Sequence, residues 1–145
     1  MGKTGQFVHR IVKTVDQDFT NAYASDKKLE IRLIDDIVGE GSRSGNSLFR
    51  QGYFSGNIQL IRFKGTITSG SPTTITFKGY EDEAGTKLLL PPSASALEIG
   101  FDGTSYGASF LVNCYHSSAA DYLYLFLKTD TGEFNVDEVQ VAWFE

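Results

Sequence analysis

The feature that most constrains this chain is its ending, where two apolar runs flank a short polar turn. Tyr122 to Lys128 reads Tyr-Leu-Tyr-Leu-Phe-Leu-Lys, apolar or aromatic up to its last residue. It is too short to cross a membrane as a helix and is rich in aromatics, so it reads as a strand buried on both faces. Thr129-Asp-Thr-Gly132 supplies the turn. In the second run, Phe134 to Trp143, the residues Val139, Val141 and Trp143 alternate with Gln140 and Ala142, the pattern of a strand with one face in a core. A chain that closes on such a pair is expected to be an all-β sandwich sealed by its C-terminal strands.

At 145 residues and 16.0 kDa the chain is expected to form one domain over residues 1–145, large enough to bury a core without staples. Its 15 Gly, 11 Phe, 7 Tyr and 3 Pro favour strands and turns. The remaining strand candidates are short and bounded by turn residues. Phe7, Ile11 and Val15 share a face, Leu29 to Leu33 alternates, and Ile58 to Thr68 keeps Ile61, Phe63 and Ile67 on one side. Ile75 and Phe77 lie together in a run ending near Tyr80. Leu88 to Leu90 is expected to stop at Pro91-Pro92, because two prolines do not fit a central strand. Leu97 to Phe101 alternates, and Phe110, Val112 and Cys114 share a face. No segment sustains a 3.6-residue apolar period, so helix is expected to be minimal.

Net charge is −5, which argues against a nucleic-acid partner. No apolar stretch approaches a membrane span, and residues 1–6 have no apolar core of the kind a signal peptide carries, so neither membrane nor secretory signal is expected. Charge is unevenly spread: residues 1–80 hold 11 basic and 7 acidic residues, and residues 81–145 hold 2 and 11. Such a polarised chain suits oriented docking onto a larger partner.

Catalytic chemistry finds little support. The 2 histidines, His9 and His116, are far apart in sequence. His116 sits beside Ser117, Ser118 and Asp121, but these neighbours are expected in a polar strand connection and cannot converge as a triad. The single cysteine, Cys114, excludes an intrachain disulfide and is expected to be a small buried hydrophobe. The histidine spacing gives no transition-metal site, and no cofactor is expected. The carboxylates of Asp35-Asp36, Glu81-Asp82-Glu83 and Asp137-Glu138 could offer oxygen ligands to calcium, but read better as solvated surface. Trp143 reads as core in preference to a sugar platform.

One segment stands apart. Gly39 to Asn57 holds 5 Gly, 4 Ser, three aromatics and two arginines in 19 residues. Loops of this length inside a domain are commonly functional, and rigid aromatics with arginine are enriched where proteins meet. Three readings stay open: aromatics folded back over the sandwich edge, a partner contact, or plain disorder. The candidate contact residues are Arg43, Phe49, Arg50, Tyr53 and Phe54 of this loop, with Lys3 and Phe7 around an N-terminal arm spanning residues 1–6.

Gly132-Glu-Phe134-Asn-Val136-Asp137-Glu138-Val139-Gln-Val141 resembles the closing strand of galactose-binding-like jelly rolls, a fold that includes many carbohydrate-binding modules. The resemblance implies a two-sheet antiparallel jelly-roll β-sandwich of about eight to ten strands. In those modules an aspartate at the place of Asp137 helps hold a structural calcium. Its acidic partner has no counterpart here, so no metal is carried over. The ending Tyr-x-Tyr-x-Phe-x-Lys-Thr-Asp-x-Gly, followed by a terminal Val-x-Trp, also looks like small jelly-roll virion proteins of tailed bacteriophages. This second resemblance implies a non-enzymatic decoration or cement protein, made in the host cytoplasm and bound to the capsid surface. Its partners would be the major capsid protein and neighbouring copies of itself in a homo-oligomer. A carbohydrate-binding or receptor-binding module is the alternative.

Overall fold

The computed structural model describes residues 8–33, 54–118 and 122–144. They form nine strands and no helix: β1 (Val8–Phe19), β2 (Leu29–Arg32), β3 (Phe54–Ser69), β4 (Thr74–Tyr80), β5 (Leu88–Ala96), β6 (Glu98–Ile99), β7 (Tyr106–Ser118), β8 (Tyr122–Thr129) and β9 (Glu133–Phe144). Sheet A has the order β1-β9-β3-β7-β6 and sheet B the order β2-β8-β4-β5, with every pairing antiparallel. The chain changes sheet at every connection except β4–β5 and β6–β7. Four strands facing four in this order, 1-9-3-7 against 2-8-4-5, is the doubly wound Greek key of a jelly roll, and β6 is an added edge. The two-sheet sandwich read from the sequence is therefore the fold.

The two C-terminal runs do not pair with each other. β8 lies inside sheet B between β2 and β4, and β9 lies inside sheet A between β1 and β3. The turn between them carries the chain from one sheet to the other, so each sheet is completed by a strand from the end of the sequence. Between the sheets, Ile11, Ile58, Ile61, Phe63, Phe110, Val139, Val141 and Trp143 face Ile31, Ile75, Phe77, Leu123, Leu125 and Leu127 across one continuous core. Phe63, Phe77 and Phe110 form its centre, with ring centroids 4.4–6.0 Å apart. The alternations of Leu29–Leu33, Ile75–Phe77 and Phe134–Trp143 match the observed burial residue by residue.

Four expectations are corrected. β5 does not stop at Pro91-Pro92 but runs through both. It is the edge strand of sheet B, the two prolines are exposed, and its pairing with β4 shifts register between Leu90 and Ser93. An edge bulge needs no donor from proline, whereas a central ladder would. The alternation of Leu97–Phe101 yields only the two-residue β6, and Ile99 and Phe101 are exposed, because sheet A ends there with nothing to pack on them. His116 is not in a connection; it is buried within β7, with Nε2 3.0 Å from the carbonyl oxygen of Tyr122. Phe54 to Asn57, assigned to the long loop, already belong to β3.

Candidate interaction surface

The residues proposed from sequence for partner contact lie almost entirely outside the described residues: Lys3, Phe7, Arg43, Phe49, Arg50 and Tyr53 are all among them. Phe54 is the exception, opening β3 opposite Ser118 of β7. Connectivity still locates their attachment. Val8 of β1 and Asn57 of β3 both pair with Phe144, one on each side of β9. The strands that follow the N-terminal arm and the long loop therefore start side by side at one end of sheet A.

The two outer faces of the sandwich differ. On sheet B, Tyr124 and Phe126 point away from the core yet are buried. Tyr80 meets Phe126 edge-on at 5.4 Å, and Tyr122 stacks on Tyr124 at 5.5 Å. Lys78 and Lys128 lie 4.3 and 5.0 Å from the ring centre of Tyr23, and Arg32 sits 5.8 Å from that of Tyr122. Such cation–π contacts let the sheet carry aromatics and charge together. Tyr23 reaches this face from the β1–β2 connection, and Lys28 of the same segment is 3.8 Å from Glu83 of the β4–β5 turn. Burial, then the nearby Tyr80, pushes the Tyr23 hydroxyl above its ordinary pKa. Sheet B thus covers its own outer face, which is why β8 reads as buried on both sides.

Sheet A is open by comparison. Its outer face carries the row Arg10, Ala142, Leu60 and Leu111, then the row Val12, Gln140, Arg62 and Ser109. Val12, Leu111 and Tyr115 are exposed there, with Ile99 and Phe101 on the β6 border. Arg62, Lys64, Ile99, Phe101, Tyr106 and Ser109 line a shallow groove of about 520 Å³. Exposed apolar patches with charged neighbours mark interaction sites more often than scattered single residues do. Sequence reasoning missed this face, since Leu111 and Ile99 carry no local mark of exposure.

The polar chemistry is dispersed. His9 on β1 stacks on Trp143 at 5.5 Å, and His116 lies on β7, with β9 and β3 between their strands. The Cys114 thiol is half-buried, 3.5 Å from the Leu89 carbonyl oxygen, and burial followed by the Glu81 charge pushes its pKa up, the opposite of an activated nucleophile. Asp82 lies at the surface, where it closes the β4–β5 turn by accepting from the Thr86 hydroxyl and from the Thr86 and Lys87 amides. Among the described residues no three His, Cys, Asp or Glu side chains gather as a metal site.

No family model matches the sequence, and a search of curated proteins finds none similar to it. Among solved structures, a chain of Desmodium yellow mottle tymovirus is similar at 8% identity, covering 96% of this chain and 86% of that one, with a TM-score of 0.34. A chain from the single-particle structure of Maize chlorotic mottle virus is similar at 13% identity, covering 96% and 91%, also at 0.34. Similarity at that score carries no argument for function, and the jelly-roll assignment rests on the strand order of this chain.

Proposed function

We propose that this chain is a non-enzymatic structural protein of a virion, which binds the outer surface of a tailed-phage capsid and reinforces the shell. The observation that carries the reading is the meeting of β1, β9 and β3 at Val8, Phe144 and Asn57. The strands that follow the arm and the arginine- and aromatic-rich loop thus begin at one end of a jelly roll whose neighbouring face is apolar and basic. The jelly roll is a fold used by capsid proteins and lectins alike, so it is compatible with this reading without selecting it. Contact is assigned to Lys3, Phe7, Arg43, Phe49, Arg50, Tyr53 and Phe54. Reinforcement needs no reaction: each copy bridges neighbouring capsid subunits, and many small interfaces add.

The test is re-addition to stripped particles. Stability should return at a stoichiometry fixed by lattice symmetry, without metal, nucleotide or sugar. Phe49→Ala with Tyr53→Ala should weaken assembly while leaving the melting temperature nearly unchanged; a large loss of stability with normal assembly would show folded-back aromatics instead. The groove beside Phe101 and Tyr106 favours one second reading, a carbohydrate- or receptor-binding module, because exposed rings next to cations and hydroxyls suit an acidic sugar. Specific glycan binding lost in Phe101→Ala, with no effect on any particle, would establish that reading and overturn the first.

A further inference from the structure

The exposed large apolar side chains are concentrated on one flank. Leu88, Ile99, Phe101, Leu111 and Tyr115 all belong to β5, β6, β7 or the β6–β7 turn, and among the described residues only Val12 lies elsewhere. Phe101 is the most exposed of them and stands on a rigid support. Asp102 Oδ1 accepts from the Thr104 amide at 2.9 Å and the Ser105 amide at 2.8 Å, and Gly103 takes φ 79° to close the turn. A phenyl ring held in water by an ordered turn forgoes burial without the freedom of a mobile loop. Preorganised aromatics of this kind are the usual anchors of protein interfaces.

The same flank holds a receptacle. Where the sheets part between β5 and β7, a cleft of about 340 Å³ opens among Phe77, Leu89, Leu90, Pro91, Val112 and Cys114. An apolar cavity of about 150 Å³ already accepts benzene, so this one has room for a phenyl ring. From Ala108 to Cys114, no described strand pairs with the β7 side that faces away from β3, since β6 covers only Tyr106 and Gly107. The surroundings differ in charge: Arg62 and Lys64, against the one acid Glu98, line the groove beside Phe101, whereas the Glu81 charge acts on the Cys114 thiol of the cleft.

We propose that two copies of this chain pair about a two-fold axis, with Phe101 of each seated in the β5–β7 cleft of the other. Knob and cleft share one flank, with Tyr106 and Val112 about 20 Å apart along β7. An axis crossing β7 midway sets each knob, with the groove beside it, against the other copy's cleft. A self-complementary patch that closes on itself gives a dimer and not a filament. The inference stands apart from the virion reading, and its test needs no particle.

Sedimentation equilibrium of the full chain should show a monomer–dimer equilibrium in the micromolar range. Phe101→Ala should weaken it by about a thousandfold, because both symmetry-related anchors are lost at about thirtyfold each. Leu111→Glu, at the exposed rim of the cleft, should do the same. Mixing the two variants should restore part of the association, because one knob and one intact cleft then meet. Phe101→Cys should form an intermolecular disulfide with the native Cys114 under mild oxidation, and Phe101→Cys with Cys114→Ser should not. A parent chain that stays monomeric at 200 µM, or a mixture no more associated than its components, overturns the proposal. So does a Phe101→Cys chain that crosslinks equally well without Cys114.

Discussion

Gly65 of β3 lies directly against the backbone of β9: a Cβ built there would come 1.8 Å from the carbonyl oxygen of Asn135. The obstruction is main chain, and it falls where the β3–β9 register shifts between Lys64 and Gly65. No rotamer change can relieve it. Gly65→Ala should therefore cost about 3 kcal/mol or more, since the two strands must separate to admit one methyl group. Gly103→Ala is the control. Nothing lies within 4 Å of its Cβ position, and only its φ of +79° is strained, so the cost should stay near 1 kcal/mol. Urea denaturation of both variants checks the ranking, and equal losses would refute it.

The position of β9 between β1 and β3 makes the chain's last strand indispensable. A chain ending at Gly132 leaves two strands of sheet A without their shared partner and removes Phe134, Val136, Val139, Val141 and Trp143 from the core. It should not fold cooperatively, as read by calorimetry. Within the full chain, Trp143→Ala should cost about 3–5 kcal/mol, because the indole is fully buried and stacked on His9.

Acid should loosen the turns first. The Asp102 carboxyl is held down to about 2, from 3.8, by the amides of Ser105 and Thr104. Asp130 is also held to about 2, by the hydroxyl and amide of Thr73. Both folded values lie below the unfolded one, so the unfolded chain binds more protons between them. Stability should rise with pH from about 2 to about 4 and level off above. Both groups are solvent-exposed, so each contribution is modest. Asp130→Asn should flatten that slope; an unchanged slope in the Asp102→Asn, Asp130→Asn double variant would exclude these carboxylates as its source.

Pro91 and Pro92 keep the β5 edge from offering amide donors to another chain. Replacing both with Thr should change stability by less than about 1 kcal/mol, because both rings are exposed. It should, however, raise aggregation on heating, since the edge strand regains amide donors that proline lacks. Light scattering during thermal ramps separates the two effects.

The parts of this molecule legible in its sequence are those governed by neighbours along the chain. Period-two alternation at Leu29–Leu33, Ile75–Phe77 and Val139–Trp143 identifies which side chains share a face, because successive residues of a regular strand point oppositely. The aromatic density of Tyr122–Lys128 marks a strand covered twice over. Alternation does not say whether a face is covered, and there the local reading failed. Leu97–Phe101 alternates as convincingly as Leu29–Leu33, yet Phe101 stands in water because no described strand lies beyond β6 to extend the sheet. Pro91-Pro92 looks like a stop until β5 is placed at an edge, where a missing donor costs nothing. Tyr124 and Phe126 are buried on the outer face, where the rings of Tyr122 and Tyr80 pack against them. The pairing of Val8 and Asn57 with Phe144, and the contact of Phe63 and Phe110 with Phe77 across the two sheets, join residues far apart in sequence. Strand order creates those relationships, and it is settled by the packing of the whole chain.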